Sequence, residues 1–190
     1  FRKGGPPAIF VTAHLANWEI AAGAVVWQGI PLTGIYTPVQ TPHIDRMLYR
    51  SREALGCGMV MREGAVRKLV KELKSGVSAG LIVDQRVKGG EPVPFFGRDM
   101  QTATTPAQLA LRFNAELIPV QVQRREGARF RVIFHEPILA DDPALDERQK
   151  LLQMTRQVSE LFESWIRERP HEWLCSKRRW QKDLYVYAKR

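Results

Sequence analysis

His14 and Glu19 stand five residues apart in His14-Leu15-Ala16-Asn17-Trp18-Glu19, directly after the apolar run Ala8-Ile9-Phe10-Val11-Thr12. An imidazole held by a carboxylate is the arrangement of a general base whose tautomer is fixed by its acid partner. Within one continuous helix, residues i and i+5 lie about 140° apart and cannot meet. A loop that ends at Asn17 as N-cap instead folds His14 back toward Glu19 in the first turn. Glu19 then holds Nδ1–H, and Nε2 is left to take a proton from a substrate hydroxyl. The helix N-terminus offers N–H groups to a phosphate or an oxyanion. The same residues also read as a loop histidine and a first-turn glutamate favoured by the macrodipole. Spacing by itself does not choose between the two.

Asp84, Gln85 and Arg86 follow a second apolar run, Leu81-Ile82-Val83. Asp84 at a strand end can cap a turn, or it can position Arg52 or an acceptor at the edge that carries His14. Arg52 reads by its position as a solvated helix arginine rather than a ligand. Phe95 and Phe96 read as a packed loop anchor. The basic run Lys177-Arg178-Arg179-Trp180-Gln181-Lys182 is an ordinary solvated face, but Trp180 among cations also suits a lipid headgroup interface. His43, His135 and His171 have no metal-ligand spacing. Gly89-Gly90 lacks the Lys-Ser/Thr that would follow in a phosphate loop. No metal or cofactor site is expected.

The elements that must position these groups follow from the apolar pattern. Strands are expected over 8–12, 32–36, 58–61 and 79–83. Helices are expected from Asn17 to about Gln28, closed by Gly29 and Pro31, and over 44–55, with Gly56 just past the end. Val66, Leu69, Val70 and Leu73 mark one face of a third helix. A polar, proline-rich loop is expected from Gln85 to about Thr104, then a helix over 106–114 that opens on Pro106. A hairpin over 117–123 and 130–135 turns at Arg124-Arg125-Glu126-Gly127. Leu151, Thr155, Val158, Phe162 and Trp165 line a last helix that ends before Pro170. This alternation predicts one α/β domain over 1–190, a sandwich with a mostly parallel, mixed sheet flanked by helices. Functional groups in such folds collect where strands end and helices begin.

The chain has 190 residues, 44% hydrophobic and 26% charged, enough for a sizeable core and unlike a disordered or low-complexity chain. Two cysteines, Cys57 and Cys175, exclude a disulfide scaffold and suit a reducing compartment. The net charge of +9 points to anionic partners. It is spread, with 12 basic against 7 acidic residues in 1–95 and 17 against 13 in the remainder. Residues 20–44 contain no Asp, Glu, Lys or Arg. Prolines and glycines interrupt them, so they read as helix, loop, strand and loop rather than as a membrane span. The first residue is Phe1, and the chain is read as a fragment or a processed form.

The His-x4-Glu block resembles the first motif of glycerolipid-type acyltransferases. The rest resembles one branch of them, the late acyltransferases of lipid A biosynthesis. Tyr36-Thr37-Pro38 leading to Arg52 and Gly56 matches one block. Leu81-Ile82-Val83-Asp84-Gln85-Arg86 matches the Asp-Gln block. Val93-Pro94-Phe95-Phe96-Gly97, then 102–110, matches the Pro-Phe-Phe-Gly block. Arg167-Glu168-Arg169-Pro170, Trp173-Leu174 and Arg178-Arg179-Trp180 match the C-terminal signature, although Cys175 and Lys177 stand where the family usually has Trp and His. The resemblance implies a glycerolphosphate-acyltransferase-like fold and O-acyl transfer from an acyl carrier protein thioester. The acceptor would be a phosphorylated glucosamine lipid at the cytoplasmic face of a bacterial inner membrane. It gives His14 and Glu19 the catalytic roles and implies substrate contacts from Asn17, Arg52, Asp84, Gln85 and Arg86. It implies lipid or acyl contacts from Phe95, Phe96 and Trp180, and no cofactor beyond the thioester. The family also carries an N-terminal membrane helix and a connecting segment.

Three rivals remain at this point. In the first, the acceptor is another glycolipid or phospholipid, or the donor is a coenzyme A thioester. In the second, a cysteine carries the acyl group, although neither sits in a motif. A basic nucleic-acid-binding module fits the charge but lacks a recognition motif and a charge stripe, so no nucleic acid is expected.

Overall fold

The computed structural model describes residues 5–140 and 142–180. Gln181 and Lys182 of the basic run, and the Phe1 start, lie outside the described residues. The core is a six-stranded sheet in the order β3-β2-β4-β1-β7-β8. Its strands are β1 (Ile9–Thr12), β2 (Leu32–Tyr36), β3 (Gly58–Met61), β4 (Ser78–Ile82), β7 (Leu117–Arg124) and β8 (Phe130–Phe134). β1 pairs in parallel with both β4 and β7, and β2 pairs in parallel with β3 and β4. β8 joins β7 antiparallel. All four residues of β1 are buried, as expected for a strand covered on both faces.

The helices are α1 (Glu19–Trp27), α2 (Pro42–Ala54), α3 (Ala65–Lys74), α4 (Thr105–Phe113) and α5 (Glu147–Glu168). Successive side chains of a strand point to opposite faces. Ile9 and Val11 enter a large core with Leu69 and Leu73 of α3, Ala107 and Leu109 of α4, and Val158 and Phe162 of α5. Phe10 enters a smaller core with Ala21 and Val25 of α1, Leu32 and Val120. α2 buries no residue fully. α5 opens on a capping box in which Asp146 accepts from the Gln149 N–H and the Gln149 side chain accepts from the Asp146 N–H.

Two expectations need correction. Helix α1 starts at Glu19 with Trp18 as N-cap and no side-chain cap bond, so Asn17 does not cap it. The segment expected to be a loop contains a two-stranded hairpin, β5 (Glu91–Phe95) and β6 (Arg98–Thr102). Pro92 and Pro94 obscure it in the sequence. Both are exposed, whereas Val93 and Phe95 are buried, and a ribbon of two strands leaves one edge where proline's missing N–H costs no ladder bond. Phe95 pairs with Arg98, leaving a two-residue turn. Phe96 and Gly97 have φ of 51° and 72°, the double positive φ of a type I′ turn.

Candidate active site

The register of β1 on β4 places the site. Thr12 pairs with Ile82 in parallel, so the residues two beyond each, His14 and Asp84, leave the same edge of the sheet side by side. His14 Nδ1 lies 2.6 Å from Asp84 Oδ1. Asp84 is 1% exposed. Its other oxygen, Oδ2, accepts a 2.9 Å bond from the Trp173 indole N–H. Burial pushes the Asp84 carboxyl up. The bond and charge of His14, the Trp173 indole and the His14 backbone N–H outweigh it and hold the carboxyl below its ordinary value. A buried carboxylate of this kind keeps the imidazole proton on Nδ1. Nε2 then faces outward as an acceptor, with Gln85 Nε2 3.4 Å away. Trp18 packs edge-on against the His14 ring, centroids 4.9 Å apart.

Glu19 was expected to hold Nδ1, and it does not. It takes Arg52 in a bidentate pair, Nε to Oε2 at 2.8 Å and Nη2 to Oε1 at 2.5 Å. The physical reason is chain geometry. Glu19 is already helical and Arg52 lies in the last turn of α2, whereas Asp84 leaves the strand next to that of His14. Asp84 therefore positions His14 rather than Arg52. The Arg52 guanidinium also lies over the Tyr36 ring, 5.4 Å from its centroid, and Tyr36 donates to Asp45. The expected opening of the helix N-terminus is reduced, because the Ile20 and Ala21 N–H groups bond to the Asn17 and Trp18 carbonyls.

Arg86 bonds Gln101 Oε1 at 3.1 Å and lines a shallow recess beside Asp84 and Gln85, with Trp173, Cys175, Lys177 and Arg179. Phe95 is 0% exposed and packs against Phe96, Trp173 and Trp180, the packing of a loop anchor. Trp180, half-buried, donates its indole N–H to the Phe95 carbonyl at 3.3 Å. Phe96 donates its N–H to Glu163 Oε1 at 2.7 Å, and Arg167 lies over its ring at 4.7 Å. Trp173 and Glu163 went unremarked as site residues. The Trp-Leu pair of the C-terminal signature was the one signal for the first. A carboxylate in mid-helix gave none for the second. Among the described residues no His/Cys/Asp/Glu group has the makings of a metal site, and no helix is long and apolar enough to cross a membrane.

The family model for bacterial lipid A biosynthesis acyltransferases matches residues 2–182. The chain belongs to that family. It is similar to a lipid A biosynthesis acyltransferase of Haemophilus influenzae, 24% identical over 187 residues, covering 94% of this chain and 56% of the relative. It is also similar to a phosphatidylinositol mannoside acyltransferase of Mycolicibacterium smegmatis, 25% identical over 187 residues, covering 95% of this chain and 59% of the relative. A protein of the same description from Mycobacterium tuberculosis is 24% identical over 95% of this chain and 56% of its own length. The chain therefore spans a little over half the length of the curated relatives it matches.

Proposed function

We propose that this chain transfers a fatty acyl group from a thioester to a hydroxyl of a glycolipid, with His14 as general base. The observation that carries the reading is the 2.6 Å bond from His14 Nδ1 to a carboxylate 1% exposed. Nε2 takes the proton as the acceptor oxygen attacks the thioester carbonyl. A C–O bond forms, the C–S bond breaks, and the leaving thiolate recovers the proton from the imidazolium. Asp84 fixes the tautomer and offsets the imidazolium charge. Arg52, held by Glu19, is the cation this reading assigns to the negative charge that develops on the carbonyl oxygen or to a phosphate. Arg86 and Lys177 at the recess suit an anionic headgroup or the phosphodiester of acyl carrier protein, and the +9 charge agrees with both. Burial raises the thiols of Cys57 and Cys175, opposite to what a nucleophile needs.

The lipid A relative favours a lipid A precursor as acceptor, and the family resemblance adds an acyl carrier protein thioester as donor at the cytoplasmic face of the inner membrane. The equal similarity to phosphatidylinositol mannoside acyltransferases supports a second acceptor, a phosphorylated glycolipid of that kind. The complete protein in detergent, given acyl carrier protein thioesters and each acceptor in turn, is read by product mass. A gain of one acyl group, with His14→Ala slower by about 10²–10⁴-fold, is the result expected. Near-full transfer by a folded His14→Ala protein rules the mechanism out.

A further inference from the structure

We propose that Trp173 is a positioning residue for the reaction, its indole N–H fixing the Asp84 carboxylate so that Oδ1 stays aimed at His14. The proposal rests on the reading of His14 as base. Asp84 has two oxygens and almost no water, so each oxygen needs a protein donor. His14 takes one at 2.6 Å and Trp173 the other at 2.9 Å. Two donors on opposite oxygens fix the rotation of the carboxylate, which one donor leaves free.

The rest of Trp173 is built to hold that geometry. Its ring stacks on Phe96, centroids 6.3 Å apart at 24°, and meets Phe95 at 6.1 Å. Its backbone forms a bridge with Leu15. On either side, the Ala16 N–H donates to the Glu172 carbonyl at 2.9 Å and the Leu174 N–H to the His14 carbonyl at 2.8 Å. The segment therefore grips the backbone of the base as well as its acid. Its own anchor is Glu172, held by Arg169 Nη1 at 3.1 Å and by the Arg124 N–H at 3.3 Å. Ala16, at the centre of the gripped loop, has φ of 50°, a left-handed conformation that an alanine adopts only where its surroundings impose it. One strap thus sets both partners of the dyad.

The test is Trp173→Phe, which keeps an aromatic ring between Phe95 and Phe96 and removes the N–H. A bond to a buried charge makes a loss of about tenfold or more in kcat the expected result, with KM little changed. The acid limb of the kcat profile moves to higher pH, because Asp84 has lost one of the donors that oppose its burial. The other ionisable groups around Asp84 and its recess, His14, Cys175, Arg86, Lys177 and Arg179, are unaltered in the variant. A Trp173 that only lines the recess would raise KM and leave both kcat and the pH profile alone, which overturns the proposal. Nitrogen NMR provides a readout free of substrate and of the variant's folding. In the unsubstituted protein the Trp173 indole N–H signal follows the protonation of Asp84. An indole N–H that exchanges with water as fast as an exposed indole also overturns it. Because this measurement needs no acyl transfer, failure to acylate any glycolipid sinks the proposed function while leaving the positioning role to be judged separately.

Discussion

Asp84 is a carboxylate taken out of water and kept ionised by its neighbours, and its contribution to stability has a definite sign. Its folded-state value lies below the unfolded value of about 3.9. The stabilisation is therefore fully present above about pH 4 and is lost as pH falls through the folded value. Urea melts between pH 2.5 and 6 should show a loss of stability on acidification that is smaller in Asp84→Asn. An identical acid dependence in the variant would contradict this. Glu19 and Arg52 behave differently. Their side chains are 30% and 26% exposed, so the pair adds less than about 1 kcal/mol to folding. The proposed reaction assigns its effect to activity. Glu19→Gln and Arg52→Gln should each lower kcat/KM with little change in Tm, and the double variant should lose no more than the worse single one. Additive losses would mean the two act independently. His14, Asp84 and Arg52 were legible in the sequence because residue type and motif order point to them. Their pairing was not, because it depends on which strand lies beside β1.

The hairpin β5–β6 shows why element boundaries outrun local pattern. Proline at alternate positions reads as loop, yet the same alternation puts Val93 and Phe95 inward. The turn at Phe96 and Gly97 is held from outside, by Glu163 on α5, so no local signal announces it. Gly90 enters this hairpin so closely that a Cβ there would lie 2.5 Å from the Thr102 carbonyl oxygen. Gly90→Ala should cost about 1–3 kcal/mol through forced backbone movement, read as a lowered midpoint in urea. A variant as stable as the parent would show that the hairpin shifts freely. The helices were placed well where an apolar face repeats, as in α3. The start of α1 was placed too early because Asn17 is a good cap by type while the chain there is still held by the loop of His14.

At the scale of the molecule, the alternation of strands and helices was enough to foresee a mostly parallel sheet. The order β3-β2-β4-β1-β7-β8 was not foreseeable from it, because strand order is decided by which apolar faces close on which. That order explains the position of the site, since β1 and β4 are neighbours at the centre and open their carboxyl ends together. It also divides the interior in two. The larger core gathers α3, α4 and α5 on one face of the sheet, and the smaller gathers α1 on the other.

His14 and Asp84 are 70 residues apart, and Asp84 and Trp173 are 89 apart. None of these contacts is local, so each carries the closure entropy of a long chain segment. The last of them waits for α5 to dock and for the turn after it to reach back across the sheet. On dilution from denaturant, burial of the aromatic core should therefore outrun the return of acyl transfer, with a lag between fluorescence and activity. Coincident recovery would mean that the strap closes with the core. A lag would mean that the chain gains its chemistry late in folding, and that a molecule caught before that event is compact but inert.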